Sequence, residues 1–116
     1  MAKFDDSLDA SIREFTPKDG SWLELEQLLS HALSSPHPEQ YYNAIFNLFE
    51  RFPDDDGGGV FWTAVHGMEA IGHYEEQLLQ YFRRYPSLMT RTMLRRLLNA
   101  GQTHVMKTPI ASLIRV

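Results

Sequence analysis

The chain of 116 residues contains no cysteine. This absence excludes a disulfide framework, a thiolate zinc site, an iron–sulfur cluster and a cysteine nucleophile. No stretch approaches the roughly 18 consecutive apolar residues that a membrane-spanning helix needs. Residues 1–9 are acidic and lack the apolar run of a signal peptide. We therefore expect a cytoplasmic protein with no membrane partner.

Acidic residues are missing from the last part of the chain. All fifteen Asp and Glu residues lie in residues 1–76, together with only four Lys and Arg residues. Residues 77–116 hold seven Lys and Arg residues and no acid, so the net charge of −4 divides into −11 and +7. Such asymmetry indicates either an electrostatic partner or attraction between two halves of the fold, and both interpretations stay open.

The alternation of apolar and polar residues that marks β-strands is also missing, and apolar residues recur instead at helical spacing. Helix-ending signals follow several of these segments, among them Pro53, Gly72, Pro86 and Gly101. We predict an all-α domain of about five to seven helices. Their apolar positions fall within residues 4–15, 22–32, 41–52, 60–71, 74–85, 88–98 and 110–114.

Three local signals refine this prediction. Ser21 followed by Glu24 predicts a capping box for the second helix, and Ser87 predicts a cap for the sixth. Thr108 and Pro109 predict the cap and first position of a short terminal helix. Residues 102–107 form the one segment that we leave open to an extended conformation.

Residues 43–53 align with residues 76–86 at a shift of 33, and both segments end in an aromatic residue followed by proline. A helix pair that repeats at this period is typical of αα-hairpin, HEAT-like repeats. A chance similarity of two amphipathic helices is the alternative. We predict a single domain, 1–116, with N-terminal capping helices in 1–36, hairpins in 37–72 and 73–101, and a tail in 102–116.

The segment Asp54–Gly59 consists of aspartate and glycine only. It does not fit a calcium-binding EF-hand loop, because the twelfth position counted from Asp54 is Val65 instead of glutamate. Its three carboxylates would repel a phosphate. The segment is therefore either a solvated connection or a contact for a basic partner, and its extra length relative to the second repeat favours a contact.

We predict no metal, no cofactor and no catalytic residue. His66, Glu69 and His73 share one helix face, but their spacing lacks the i, i+4 pair of the zinc helix motif. Serine, histidine and aspartate are present without the G-x-S-x-G motif of a hydrolase nucleophile. The protein is expected to be a binding protein and not an enzyme.

Basic and aromatic residues provide two further candidates. Arg91 and Arg95 are four residues apart, so an anion is expected nearby, either Glu75, Glu76 or the Asp54–Gly59 segment, or a nucleic-acid phosphate. The acidic remainder of the chain opposes a polyanion, so we expect no nucleic-acid partner. Phe61 and Trp62 are adjacent and cannot face the same side, so one of them is expected at the surface as an interface anchor.

The stretches NLFERFP, DDDGGGVFWTAVHGMEAIGHYE and PSLMTRTMLRRLLNAG follow one another over residues 43–101. In this order they resemble small bacterial immunity proteins of contact-dependent growth inhibition and other polymorphic toxin systems. The resemblance implies a non-enzymatic cytoplasmic protein that binds one cognate toxin C-terminal domain, often a nuclease, and blocks it. Residues 1–42 and 102–116 are not covered by it.

Three hypotheses follow. The first is an immunity protein whose acidic surface covers a basic toxin active site. The second is an αα-repeat adaptor that binds a peptide or a partner helix. The third, which we disfavour, is nucleic-acid binding through Arg83, Arg84, Arg91, Arg95 and Arg96. The oligomeric state is left open. For the first hypothesis the predicted toxin-binding residues are Glu50, Asp54, Asp55, Asp56, Trp62, Glu69, Glu75 and Glu76.

Overall fold

A computed structural model describes residues 5–114, and the predicted all-α fold is confirmed. The described part of the chain contains seven α-helices and one two-stranded ribbon. Phe4, predicted at the start of the first helix, lies outside the described residues. The helices are α1 (Asp6–Glu14), α2 (Leu23–Leu33), α3 (Tyr42–Arg51), α4 (Phe61–Ile71), α5 (Glu75–Arg84), α6 (Leu88–Asn99) and α7 (Ile110–Ile114). Two 3₁₀ turns cover Pro38–Tyr41 and Gly57–Gly59.

The first six helices form three stacked hairpins, which we call the N-terminal (α1–α2), central (α3–α4) and C-terminal (α5–α6) hairpins. Helix α3 packs between α1 and α5, and α4 packs between α2 and α6, so the odd and even helices form separate layers. The molecule measures 38 × 37 × 22 Å, and its smallest dimension matches two layers of helices. This is the arrangement of αα-hairpin repeats.

The helix boundaries mostly follow the local signals in the sequence. The Asp5 carboxylate accepts a hydrogen bond from the Leu8 N–H at the start of α1. Ser87 and Thr90 form a capping box on α6. Gly72, with φ 90°, ends α4, and Gly101, with φ 98°, follows the end of α6. These glycines adopt a backbone conformation that side-chain-bearing residues disfavour.

The predicted capping box at Ser21 is wrong. Helix α2 begins at Leu23, and its N-cap residue, Trp22, makes no side-chain hydrogen bond to the helix. The Ser21 hydroxyl accepts from the Leu23 N–H at 3.4 Å, and no hydrogen bond joins Ser21 and Glu24. The Ser21 N–H donates to the Lys18 carbonyl at 2.8 Å and closes a tight turn. This turn places Ser21 one position too early to act as the cap.

The tail over residues 102–114 packs on the C-terminal hairpin. Strands β1 (His104–Val105) and β2 (Thr108–Pro109) pair antiparallel, so part of the segment left open is extended. The helix cap predicted at Thr108–Pro109 is wrong, because Thr108 pairs with Val105 and α7 begins only at Ile110. Val105, Ile110 and Ile114 are buried and extend the main core.

The core runs through all three hairpins and is rich in aromatic side chains. The Phe49 and Phe61 rings lie 5.2 Å apart between α3 and α4, and Phe46 stacks on Tyr81 of α5 at 5.4 Å. The Trp22 ring meets Phe61 edge-on at 5.3 Å. No helix in residues 5–114 is long and apolar enough to cross a membrane.

Candidate interaction site

The Asp54–Gly59 segment is an ordered turn between α3 and α4. The Asp55 carboxylate accepts a hydrogen bond from the Gly57 N–H at 3.1 Å, and the Asp56 carbonyl accepts from the N–H groups of Gly59 and Phe61. The side chains of Asp54, Asp55 and Asp56 are exposed, and none forms an ion pair with another described residue. The turn therefore presents three exposed carboxylates, without ion-pair partners among the described residues, on a hydrogen-bonded backbone.

Two glycines of this turn allow aromatic rings to pack beneath it. Gly57 and Gly58 both have φ 62°. A Cβ atom on Gly57 would lie 2.6 Å from Cδ1 of Phe61, and one on Gly58 would lie 3.3 Å from Cδ1 of Trp22. Because both rings belong to the core, the acidic turn rests directly on it.

Two of the predicted toxin-binding acids are instead paired within the fold. Glu50 of α3 accepts two hydrogen bonds from Arg84 of α5, at 3.0 and 3.3 Å. Glu69 of α4 accepts two from Arg96 of α6, at 2.7 and 2.8 Å. Each pair joins the central hairpin to the C-terminal hairpin, one pair in each layer.

The Glu69–Arg96 pair shifts the titration of both groups. The hydrogen bond from Arg96 lowers the pKa of Glu69, although partial burial opposes this effect. The same bond raises the pKa of Arg96. Both groups therefore stay charged over the neutral range, and the pair acts as a permanent contact between α4 and α6.

Glu75, Glu76 or the acidic turn was expected beside Arg91 and Arg95, but neither arginine forms an ion pair with a described residue. Glu50 and Glu69 pair instead with the neighbouring Arg84 and Arg96. Arg91 lies with its guanidinium 5.7 Å from the centre of the Phe82 ring. The sequence could not indicate these pairs, because their partners are 34 and 27 residues apart along the chain.

Glu75 and Glu76 lie away from the acidic turn. They occupy the first turn of α5, where the partial positive charge of a helix N-terminus favours acids. Helix α5 has ten residues and is about 15 Å long, and Arg84 at its far end reaches Glu50 near the acidic turn. The predicted acids thus do not form one continuous surface.

One of the adjacent pair Phe61 and Trp62 was predicted at the surface as an interface anchor. Phe61 is fully buried, Trp62 is half-buried and packs against the core, and the anchor role stays a prediction. The Arg96 guanidinium carbon lies 5.5 Å from the centre of the Trp62 ring, and the His66 ring is also 5.5 Å away. Trp62 therefore packs over the ion pair between α4 and α6. His66 Nδ1 lies 3.7 Å from Glu69 Oε1, and His73 follows the end of the helix with φ 61°.

Two exposed apolar residues beside Pro86 were not predicted from the sequence. Tyr85 was placed on the apolar face of α5 and Leu88 on that of α6, but their exposed fractions are 51% and 44%. Phe52, the repeat equivalent of Tyr85, is covered by the Trp22 ring at 5.2 Å. Tyr85 has no ring partner among the described residues, so the repeat alignment overstated its burial.

The turn around Pro86 and the acidic turn lie side by side. The Leu88 N–H donates to the Pro53 carbonyl at 2.6 Å. A cleft of about 240 Å³ separates the two turns and is lined by Pro53, Asp54, Pro86, Ser87, Leu88 and Arg91. We call the exposed surface of residues 53–56 and 85–91 the proline-turn surface.

A second cleft lies between α4 and α6 at the opposite end of the hairpins. It measures about 460 Å³ and is lined by Glu69, Tyr74, Arg96, Leu97, Asn99 and Ala100. Burial raises the pKa of Tyr74 to about 12, so its hydroxyl is neutral at ordinary pH.

No protein-family model, curated protein or solved structure matches this chain.

Proposed function

We propose that the protein is an immunity protein that binds and neutralises a cognate toxin domain by covering its basic active-site surface. It acts in the cytoplasm as a stoichiometric inhibitor and not as an enzyme. The observation that carries the proposal is the acidic turn, where Asp54, Asp55 and Asp56 are exposed and free of ion pairs with other described residues.

The order of this turn supports a binding role. A flexible acidic loop would lose conformational entropy on forming a complex, whereas a hydrogen-bonded turn has already lost it. The backbone of this turn is held by hydrogen bonds and by the aromatic rings below Gly57 and Gly58, and the Asp55 carboxylate accepts a hydrogen bond from the Gly57 N–H. The turn therefore suits binding without rearrangement.

The charge of the turn points to a nuclease as the toxin. A nuclease active site is basic because it holds a polyanionic substrate, so three carboxylates on one turn complement it. Electrostatic attraction of this kind speeds association and weakens as salt increases. The resemblance to immunity proteins over residues 43–101 includes this turn and agrees with the proposal.

In this proposal the predicted toxin-binding residues take different roles. Asp54, Asp55 and Asp56 contact the toxin. Glu50 and Glu69 pair with Arg84 and Arg96 and so help to fix the central hairpin relative to the C-terminal hairpin. Trp62 supports the Glu69–Arg96 pair from one side.

The test uses the toxin domain encoded by the adjacent upstream gene. The wild-type protein should form a one-to-one complex with that domain and protect cells that express it. Asp54→Asn, Asp55→Asn and Asp56→Asn together should weaken binding by about tenfold or more and reduce its salt dependence. Both quantities are measured by titration calorimetry at two salt concentrations.

Glu75→Gln with Glu76→Gln is the matched control, because it removes carboxylates at the other end of α5. Its affinity should stay within about threefold of the wild type. A wild-type protein that neither binds nor protects would refute the immunity function. A triple asparagine variant with wild-type affinity would refute the role of the acidic turn alone.

The cleft between α4 and α6 favours a second candidate, an αα-repeat adaptor that binds a peptide. Tyr74, Arg96 and Leu97 line this cleft and offer aromatic, charged and apolar contacts. This candidate predicts that Leu97→Ala, and not the Asp54–Asp56 substitutions, abolishes co-purification of the physiological partner. Neighbouring genes that encode no toxin would favour it.

A further inference from the structure

We infer that the proline-turn surface is the toxin-binding surface and that Tyr85 and Leu88 are its apolar anchors. The inference rests on the proposed immunity function and adds to it the location and chemistry of the contact. The occupant is a basic face of the toxin domain that contains an apolar recess.

Tyr85 and Leu88 form a cluster of exposed apolar side chains on this surface. Four large apolar side chains of residues 5–114 are strongly exposed, and two of them, Tyr85 and Leu88, flank Pro86 in the same turn. The others, Leu23 in α2 and Met106 in the tail, lie apart in the chain and in different elements. Tyrosine is enriched among the interface residues that dominate binding energy.

Hydrogen bonds and packing hold the two turns of the proline-turn surface in place. The hydrogen bond from Leu88 to Pro53 joins the two turns, and the Ser87–Thr90 capping box fixes the start of α6. The acidic turn is anchored on Phe61. The backbone segments that carry Tyr85, Leu88 and Asp54–Asp56 are therefore held in one arrangement, which reduces the entropy lost on binding.

The charges of the proline-turn surface indicate the chemistry of its partner. Glu50 neutralises Arg84, so the acidic turn dominates one side of the surface. Arg91 lines the same cleft as Asp54 and forms no ion pair with a described residue. A basic partner is attracted by Asp54–Asp56 and repelled by Arg91, so it can bind in one orientation only.

The experiment measures binding of the toxin domain from the adjacent upstream gene, inactivated by substitution of its own catalytic residue. Tyr85→Ala and Leu88→Ala should each weaken binding by about tenfold, mainly through faster dissociation. Leu23→Ala is the matched control, because it removes a side chain that is 69% exposed on α2. It should leave the affinity unchanged.

Hydrogen exchange of the wild-type protein tests the same surface without any substitution. Binding should protect the backbone amides of residues 54–56, 85 and 87–91 and leave those at Glu75 and Glu76 unprotected, Pro53 and Pro86 having no amide hydrogen. Wild-type affinity in both alanine variants, or protection confined to other residues, would overturn the inference while leaving the immunity function standing. Failure of the wild-type protein to bind would overturn the function and the inference together.

Discussion

The hydroxyl group of Tyr42 links the beginning of α3 to the end of α4. It donates a hydrogen bond of 2.7 Å to the Gly72 carbonyl, one of the groups that the end of a helix leaves unpaired. Burial, together with the nearby acids Glu39 and Glu75, raises the pKa of Tyr42 to about 12. The neutral hydroxyl is thus the form that the folded protein favours.

Replacing Tyr42 with phenylalanine should therefore change both stability and its dependence on pH. At pH 7 the loss of the hydrogen bond should cost about 1 kcal/mol, because the Gly72 carbonyl loses its partner. In the wild-type protein the unfolded state releases the Tyr42 proton near pH 10 and the folded state near 12, so stability falls as the pH rises through this interval.

The variant should lose less stability over this interval than the wild type does, as measured by urea unfolding at several pH values. Tyr85→Phe is the control, because it removes an exposed hydroxyl with no hydrogen-bond partner among the described residues. Equal alkaline sensitivity in the Tyr42 variant and the wild type would contradict this prediction.

Single residues were predictable where the pattern around them is local. The burial of Phe61 and the partial exposure of Trp62 follow from their adjacency on one helix. The exposure of Tyr85 was not predictable, because it depends on the absence of a ring such as Trp22, which covers Phe52. The proposed contact thus includes residues whose role emerges only from tertiary packing.

At the scale of elements, Arg51 of α3 completes the end of α1. Its guanidinium donates to the carbonyls of Ile12 at 2.9 Å and Phe15 at 2.8 Å, which lie at the end of that helix. Burial lowers the pKa of Arg51. The N-terminal hairpin is therefore attached to the central hairpin by polar as well as apolar contacts.

Arg51→Met should weaken this attachment while keeping an apolar stem of similar length. We expect a loss of about 1 to 3 kcal/mol in the free energy of unfolding, since the hydrogen bonds involve a charged donor. Amides of α1 should exchange faster relative to those of α5. Arg83→Met is the control, because Arg83 is exposed and donates one hydrogen bond, to Thr108. Uniform acceleration across both helices would contradict the local role of Arg51.

The helices were largely predictable and the tail was not, for a physical reason. Proline and glycine end α3, α4, α5 and α6 through their own backbone preferences, which act locally. Thr108 and Pro109 also fit a helix start, but pairing with His104 and Val105 places them in a strand. At Ser21 a tight turn prevailed over the capping signal.

At the scale of the whole molecule, two ion pairs hold the central and C-terminal hairpins together. Glu50–Arg84 joins the layer of odd helices and Glu69–Arg96 joins the layer of even helices. The side chains of Arg84 and Arg96 are largely exposed, and Glu69 lines a cleft that is open to solvent. Solvent therefore screens both ion pairs. We expect each pair to contribute little to the free energy of unfolding.

Glu69→Gln should show this contribution through its pH dependence. The pKa of Glu69 is below its ordinary value in the folded state, so the stabilisation is present above that ordinary value and is lost as the pH falls through the lowered one. Unfolding free energies of variant and wild type should therefore differ at pH 7 and converge under strongly acidic conditions. Glu76→Gln, at an exposed position, should match the wild type throughout. A pH-independent difference for Glu69→Gln would contradict the ion-pair explanation.

The stacking of hairpins also turns the uneven charge of the sequence into a spatial separation. Residues 5–36 carry seven acids and two bases, residues 37–72 six acids and one base, and residues 73–114 two acids and six bases. Because the outer hairpins pack mainly through the central one, the molecule has an electric dipole moment along the stack. If the basic toxin domain proposed above is the partner, its field would exert a torque on this dipole and turn the acidic N-terminal and central hairpins toward the toxin. Asp54–Asp56, on the central hairpin, would then approach it before Tyr85 and Leu88, which lie on the basic hairpin.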